Sequence, residues 1–255
     1  MYSHNLDPVA FKIFSLSVHW YSLAYLFGFL IGLYYSKYLI KVGHINLKYI
    51  EVEEFISWAV VAVIIGGRLG YVIFYNFEFY IQNPSYMIKI WQGGMSFHGG
   101  LIGLIISIIL YSKKNKINFK ELANVVSSCA PIGIFLGRIA NFVNAELIGK
   151  PTNSEWGVLF PNSEVPRHPS QLYEALFEGL FIFLLINWLY KKKIHKKINI
   201  YAVFLLVYPF FRFLIEFIRE PDNHLGYVVY DLSMGQVLCI PMFLMGLILL
   251  KYKNG

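Results

Sequence analysis

Charge is what this sequence has least of. Asp, Glu, Lys and Arg make up 15% of its 255 residues, against about 25% in a soluble globular domain. Cysteine is scarce as well: Cys129 and Cys239 stand alone, each inside an apolar run. That excludes a disulfide framework and leaves no metal-ligand spacing, so no metal site is expected. Low-complexity tracts and internal repeats are missing. So are the alternating apolar–polar runs of a membrane β-barrel. The opening MYSHNLDPVAFKIFS lacks the basic start, short apolar core and small-residue cleavage site of a secretory leader. No cleaved leader is expected. These absences exclude a soluble, disordered or fibrous chain.

What is present is apolar: 57% hydrophobic residues, 18% aromatic, and a mean hydropathy of +0.53. A spanning helix needs about 20 mostly apolar residues. Seven segments qualify, at 19–40, 55–75, 97–112, 120–142, 171–190, 200–218 and 232–250. The prediction is an all-α fold, a polytopic bundle of seven transmembrane helices forming one integral membrane domain over 1–255. The third segment starts in a glycine-rich stretch, so its N-terminal end belongs in a cavity or at an interface rather than in lipid. The longest polar connection, 143–170, carries Pro151, Pro161, Pro166 and Pro169. Such proline content predicts a small ordered extracytoplasmic head rather than a flexible linker.

The formal net charge of +7 does not point to nucleic acid, because the lysines cluster between apolar runs. Lys37, Lys41 and Lys48 follow the first span. Lys113, Lys114, Lys116 and Lys120 follow the third, KKKIHKK (191–197) the fifth, and Lys251 and Lys253 the seventh. The positive-inside rule then puts the N-terminus outside and the C-terminus in the cytoplasm. Every arginine (Arg68, Arg138, Arg167, Arg212, Arg219) lies instead in a span or on the outer side. A buried arginine is costly and faces a cavity, a partner or a ligand. Its planar fork suits phosphate, which accepts two parallel hydrogen bonds.

Several stretches could carry chemistry. In GRIANFVNAELIG (137–149), Arg138 and Asn141 share a helical face that Ala145 would continue, with Asn144 and Glu146 where the helix leaves the apolar region. A capped helix end with a local Arg–Glu pair is the plainer account. In GGMSFHGG (93–100), glycines flanking His98 would let backbone approach a ligand, and histidine can act as a base near neutral pH. A histidine bonded to a loop carbonyl is the plainer account there. In YPFFRFLIEFIRE (208–220), Tyr208, Arg212, Ile215 and Arg219 recur at helical steps, and Glu216 can pair with Arg212. Pro209 should kink this span or free a carbonyl. GGRLGY (66–71) sets Arg68 among glycines that also permit close helix packing. RHPSQLYE (167–174) opens the fifth helix, with Ser170 as its expected N-cap. His168 reads as structural. His19 and Tyr21 sit where an interfacial aromatic belt would be.

Taken together, these stretches resemble the prolipoprotein diacylglyceryl transferase family. GRIANFVNAELIG and GGMSFHGG carry the resemblance, supported by HWY (19–21), GGRLGY, RHPSQLYE and RFLIEFIREPD (212–222), in order along nearly the whole chain. The resemblance implies transfer of a diacylglyceryl group from phosphatidylglycerol to the lipobox cysteine thiol of a preprolipoprotein, with a thioether formed and glycerol phosphate released. It implies no cofactor, a bacterial inner-membrane location, a lipid bilayer and a lipobox segment as partners, and no nucleic acid. A monomer is expected.

The implied roles fall on particular residues. Arg138 and Arg212 hold the phosphodiester. His98 accepts the thiol proton, although arginine-raised potential could lower the thiol pKa from its usual value of about 8.5 without a dedicated base. Asn141, Tyr208, Glu146 and Tyr21 contact substrate or hold an arginine. Arg68, Glu216, Arg219 and Gly149 support the site from behind or gate it. Competing readings are a membrane transporter for an anionic substrate, a membrane hydrolase using Ser96, and a structural subunit. Transporters of that kind show paired broken segments in two halves, and none is found here.

Overall fold

The computed structural model describes residues 2–14, 16–161, 163–221 and 226–251. Asp222 and Lys253, named in the sequence analysis, lie outside the described residues. In chain order the elements begin with β1 (Tyr2–Ser3), β2 (Val9–Ile13), β3 (Leu16–His19), α1 (Trp20–Lys41) and α2 (Tyr49–Tyr75). Next come α3 (Phe77–Gln82), α4 (Phe97–Asn115), α5 (Phe119–Val143) and β4 (Val158–Leu159). The continuous helical rod Ser170–Lys191 follows, as α6 (Ser170–Glu174), a π-helical turn (Ala175–Phe181) and α7 (Ile182–Lys191). The chain ends in α8 (Ile200–Ile215), β5 (Tyr227–Val229), β6 (Leu232–Ser233) and α9 (Met234–Lys251).

Among the described residues, six helices are long and apolar enough to cross a membrane: α1, α2, α4, α5, the Ser170–Lys191 rod and α9. Their apolar side chains are largely uncovered, as Leu26, Phe29, Leu30, Ile106, Leu110, Leu184 and Ile248 show. A water-soluble chain rarely exposes such surface, whereas hydrocarbon is its natural solvent. The chain is an integral membrane helical protein. The predicted seventh span, 200–218, is helical only over Ile200–Ile215, about 24 Å at 1.5 Å per residue. It stops there because the next turn leads Arg219 into a bridge with Gly149. The all-α expectation is likewise amended by short strands: the β2–β3 hairpin, the parallel β1–β4 pair and the β5–β6 pair.

The chain divides into two compact units, 1–39 with 124–255, and 40–123. In the smaller, α2 and α4 pack backbone to backbone. A Cβ on Gly70 would lie 2.7 Å from the Gly99 Cα, and one on Gly66 would lie 3.0 Å from the Gly103 Cα. Without a hydrophobic drive between helices in lipid, such small-residue seams supply the van der Waals contact. The glycines after His98 therefore serve helix packing rather than ligand approach. Arg68, buried in α2, donates to the carbonyls of Met87 (2.9 Å), Tyr86 (2.7 Å), Gly94 (3.0 Å), Lys89 (3.2 Å) and Gly93, and lies over the Tyr80 ring. It shapes the loop that leads into α4. Ser96 is the N-cap of α4 and accepts from the Gly99 amide at 3.2 Å. His98 stands in the first turn of that helix. A capping role removes the nucleophile setting that the hydrolase reading required.

In the larger unit, the connection 143–170 forms local structure of its own. Gly149 bridges Arg219, Pro151 bridges Arg167, and Val158 pairs with both Tyr2 and Arg167. A Cβ on Gly149 would meet the Ile218 carbonyl at 2.9 Å and the His168 Cβ at 2.7 Å, so only glycine fits between these strands. The predicted N-cap at Ser170 is instead the first helical residue. Pro169 precedes it, and the Ser170 hydroxyl donates to the Leu147 carbonyl at 3.0 Å.

The α2–α4 seam generates a prediction. Gly70→Leu forces the backbones apart, and overpacking of this kind costs about 1–3 kcal/mol. Thermal unfolding in detergent should show a clearly lowered midpoint, while Gly133→Ala, whose Cβ would meet nothing within 4 Å, leaves it nearly unchanged.

Candidate active site

The larger unit gathers three arginines and three glutamates into one buried lattice. Arg138 comes from α5, where a close approach carries it in. A Cβ on Gly179 would lie 2.8 Å from the Phe135 Cα, so glycine lets the π-turn touch α5 three residues before Arg138. Glu174 ends α6, and Glu178 sits four residues on, inside the π-turn. Turns of this kind recur at functional sites because they re-aim side chains without breaking the helix. Arg212 lies in the last turn of α8, Glu216 caps that helix, and Arg219 follows in the bridge to Gly149.

Glu174 is the shared node. Its Oε2 faces the Arg138 Nη1 at 3.2 Å, and its Oε1 accepts from the Arg219 Nη1 at 3.1 Å and from the Arg212 Nη1. Glu216 pairs with the Arg212 Nη2 at 2.7 Å through one oxygen and accepts from the Ser233 hydroxyl at 2.8 Å through the other. Glu178 is more distant, 3.6 Å from the Arg138 Nη2 and 4.0 Å from the Arg212 Nη1. The Glu174 and Glu178 side chains are 0% exposed, whereas Arg138 and Arg212 keep 17% and 13%. The carboxylates are thus sealed more deeply than the two arginine side chains, which keep partial exposure. Each guanidinium has five donors in a fixed fork, so donors remain for an incoming anion. Ionised, the six groups balance.

Around this lattice, Tyr208 is buried in α8, its ring stacked on Phe204 at 5.5 Å. Asn141, also buried, donates to Glu146 at 3.3 Å, and Asn144 donates to the same carboxylate at 3.4 Å. α5 ends at Val143, so Ala145 does not continue its face. Ala145 and Leu147 both take left-handed backbone, with φ of 54° and 56°, and hold Glu146 between them. Among the described residues no ion pair joins Glu146 to an arginine, so the local Arg–Glu pair considered from the sequence is replaced by the pairing of Arg138 with Glu174 and Glu178. Arg219 likewise lies beyond the α8 helix it was expected to share with Tyr208 and Arg212. Tyr21 opens α1 beside Tyr25, ring centroids 5.2 Å apart, and Tyr25 is within electrostatic reach of Arg138 and Glu146.

His98 and Arg68 belong to the other unit. The residues that sequence reasoning missed are Glu174 and Glu178, with Gln171 and Ser233 behind them. Gln171, fully buried, donates to the Glu146 carbonyl and so ties the turn after α5 to the start of α6. The signal was present: QLYEALFEGL places two acids four apart inside an apolar helix, and intramembrane carboxylates require cationic partners.

Removing the node should cost far more than removing a surface pair. Glu174→Ala removes the one carboxylate that Arg138, Arg212 and Arg219 all face, and breaking a buried ion pair costs about 3–5 kcal/mol. Glu220→Gln at the part-exposed Arg167–Glu220 pair (2.7 Å) should cost under about 1 kcal/mol. Denaturation midpoints of the two variants, measured side by side in detergent, check the ranking.

Comparison with known proteins bears on what the lattice acts upon. A family profile described as prolipoprotein diacylglyceryl transferase matches residues 8–252. The phosphatidylglycerol–prolipoprotein diacylglyceryl transferase of Rickettsia felis is 46% identical over 253 residues, covering 98% of each chain. Its counterpart in Rickettsia canadensis is 46% identical over 245 residues and covers 95% of each. That of Rickettsia typhi is 45% identical over 254 residues, covering 98% of each. With matches of this length and identity, the chain belongs to the prolipoprotein diacylglyceryl transferase family.

Proposed function

We propose that this protein transfers the diacylglyceryl group of phosphatidylglycerol to the lipobox cysteine of a preprolipoprotein. The observation that carries the reading is the pair of carboxylate-paired arginines, Arg138 and Arg212, whose side chains keep partial exposure inside a membrane bundle. Such an arrangement is preorganised for the phosphodiester of a lipid headgroup. The thiolate sulfur bonds the terminal glycerol carbon of the diacylglyceryl group as that carbon's bond to the phosphate oxygen breaks. Glycerol phosphate leaves with the electron pair. Charge growing on the leaving oxygen is met by fixed donors in a site of low dielectric, where they act most strongly. Asn141, Tyr208, Tyr21 and Glu146 contact the substrate or hold its ligands, while Glu216 and Arg219 keep Arg212 oriented. Gly149 preserves the strand contact beneath them, and Arg68 shapes the loop into α4.

The thiol proton must be removed, and His98 is assigned that task by resemblance. No cofactor or metal is required by the chemistry. The lysine distribution supports a cytoplasmic-membrane protein with the N-terminus outside and the C-terminus inside. With α8 counted as a short seventh span, 143–170 becomes an extracytoplasmic head. A single chain contains the whole arginine lattice, which supports a monomer.

The direct test combines the purified full chain in phosphatidylglycerol vesicles with a peptide holding one lipobox cysteine. Wild type should add a diacylglyceryl mass to the cysteine and release glycerol phosphate. Arg138→Ala and Arg212→Ala, each verified as folded, should lose about 10²–10³-fold in turnover, the scale of losing a preorganised donor. A folded wild-type protein that yields no adduct with both substrates present would falsify the reading.

His98 has its own test. His98→Gln should slow turnover about 10²–10⁴-fold, the usual contribution of a positioned base. It should also abolish the fall in rate on the acid side of the pH profile, where wild-type His98 gains a proton. Retention of the wild-type rate and profile would remove His98 from proton transfer.

A further inference from the structure

The lattice has a charge problem that its geometry resolves at one residue. Arg138, Arg212 and Arg219 face Glu174, Glu178 and Glu216, so the ionised set is already neutral. A phosphodiester placed on Arg138 and Arg212 leaves a net negative charge in a region screened from water. An uncompensated buried charge costs several kcal/mol. Either a cation follows the anion in, or one carboxylate becomes neutral.

The three carboxylates are not equivalent. Neutralising Glu174 would forfeit contacts to all three arginines. Neutralising Glu216 would forfeit the 2.7 Å contact with Arg212 and disturb the bond from Ser233. Glu178 differs: it is fully buried, and neither of its oxygens accepts a hydrogen bond among the described residues. Its nearest cations stand at 3.6 Å and 4.0 Å, beyond hydrogen-bonding distance. The groups facing it are Arg138 from α5, Glu174 from α6, Arg212 and Tyr208 from α8, Arg219 beyond α8, and Cys239 from α9. None of these is a second carboxylate as loosely held. Its position four residues after Glu174 keeps it within 4.0 Å of the same two arginines that the phosphodiester reading assigns to the anion.

We propose that Glu178 takes up one proton when a phosphodiester anion binds to Arg138 and Arg212, turning a balanced lattice into one with a single excess positive charge. The inference rests on the phosphodiester reading of those arginines. Uptake is reversible: the proton enters from solvent with the anion and leaves when the anionic product departs. The bound state then holds one more proton than the free state, so lowering the pH strengthens binding. While free Glu178 is ionised, the dissociation constant changes about tenfold per pH unit.

The experiment is calorimetric titration of the full chain in detergent micelles with dihexanoyl phosphatidylglycerol, in buffers of different ionisation enthalpy. The dependence of the observed heat on buffer enthalpy gives the number of protons taken up. Wild type should take up about one, and its affinity should weaken as the pH rises. Glu178→Gln should bind at pH 7 at least as well as wild type, take up none, and lose the pH dependence. Binding by wild type without proton uptake, or unchanged uptake in Glu178→Gln, overturns the proposal. So does binding that requires sodium or potassium in place of a proton. If Glu178→Gln does not fold, the infrared difference spectrum of wild type decides: a protonated-carboxyl band must appear on binding, and its absence places the proton elsewhere. Wild-type-like binding in folded Arg138→Ala and Arg212→Ala would instead sink the phosphodiester reading and leave the behaviour of Glu178 a separate result.

Discussion

Everything at the centre of the larger unit depends on one carboxylate. Glu174 is sealed from solvent and faces Arg138, Arg212 and Arg219 at once. Three guanidiniums in so small a volume repel one another, and intramembrane charges of this kind need close polar partners. Glu174 holds them together, and Glu216 fixes the second fork of Arg212. Glu174 and Glu178 are fully buried while the Arg138 and Arg212 side chains keep partial exposure, and the ionised cluster is neutral in sum. A surface salt bridge has no such polarity, and its net contribution is small.

Backbone proximity makes the lattice possible. Gly179 lets the π-turn close on α5, and a Cβ on Gly246 would lie 2.8 Å from the Leu205 carbonyl carbon, which brings α9 onto α8. Gly149 closes the strand contact that ends the run from Arg212 to Arg219. The smaller unit uses the same device between α2 and α4. There the buried arginine has a different fate: Arg68 is consumed by five carbonyls and organises a loop, although like Arg138 and Arg212 it lies in an apolar helix. Residue type and burial alone therefore do not fix an arginine's partners. What distinguishes Arg138 and Arg212 is partial side-chain exposure combined with carboxylate pairing.

The reaction class and the lattice fit one another. Displacing a phosphate ester requires charge stabilisation at the leaving oxygen and a dry surrounding, but no nucleophile from the enzyme. Cys129 and Cys239 are free thiols in helices, and Ser96 is occupied as a cap. The acceptor's thiol supplies the attack. Such a division of labour leaves the protein with binding, orientation and proton management, all tasks for fixed polar groups in a rigid bundle.

Sequence alone determined that the chain is a membrane helical protein, because hydropathy and charge scarcity act locally along the chain. It also determined the family, since motifs are local too. It placed Arg219 and Ala145 on helices they do not join, because helix ends here are set by strand bridges and left-handed turns made with distant segments. It overlooked Glu174 and Glu178, whose importance arises only when the Ser170–Lys191 rod packs against α5 and α8. Pairing of charges across helices is a property of three-dimensional proximity, and no spacing along one helix encodes it. The tertiary structure decided which arginine is buttressed, which is spent on a loop, and which carboxylate is left without a hydrogen bond.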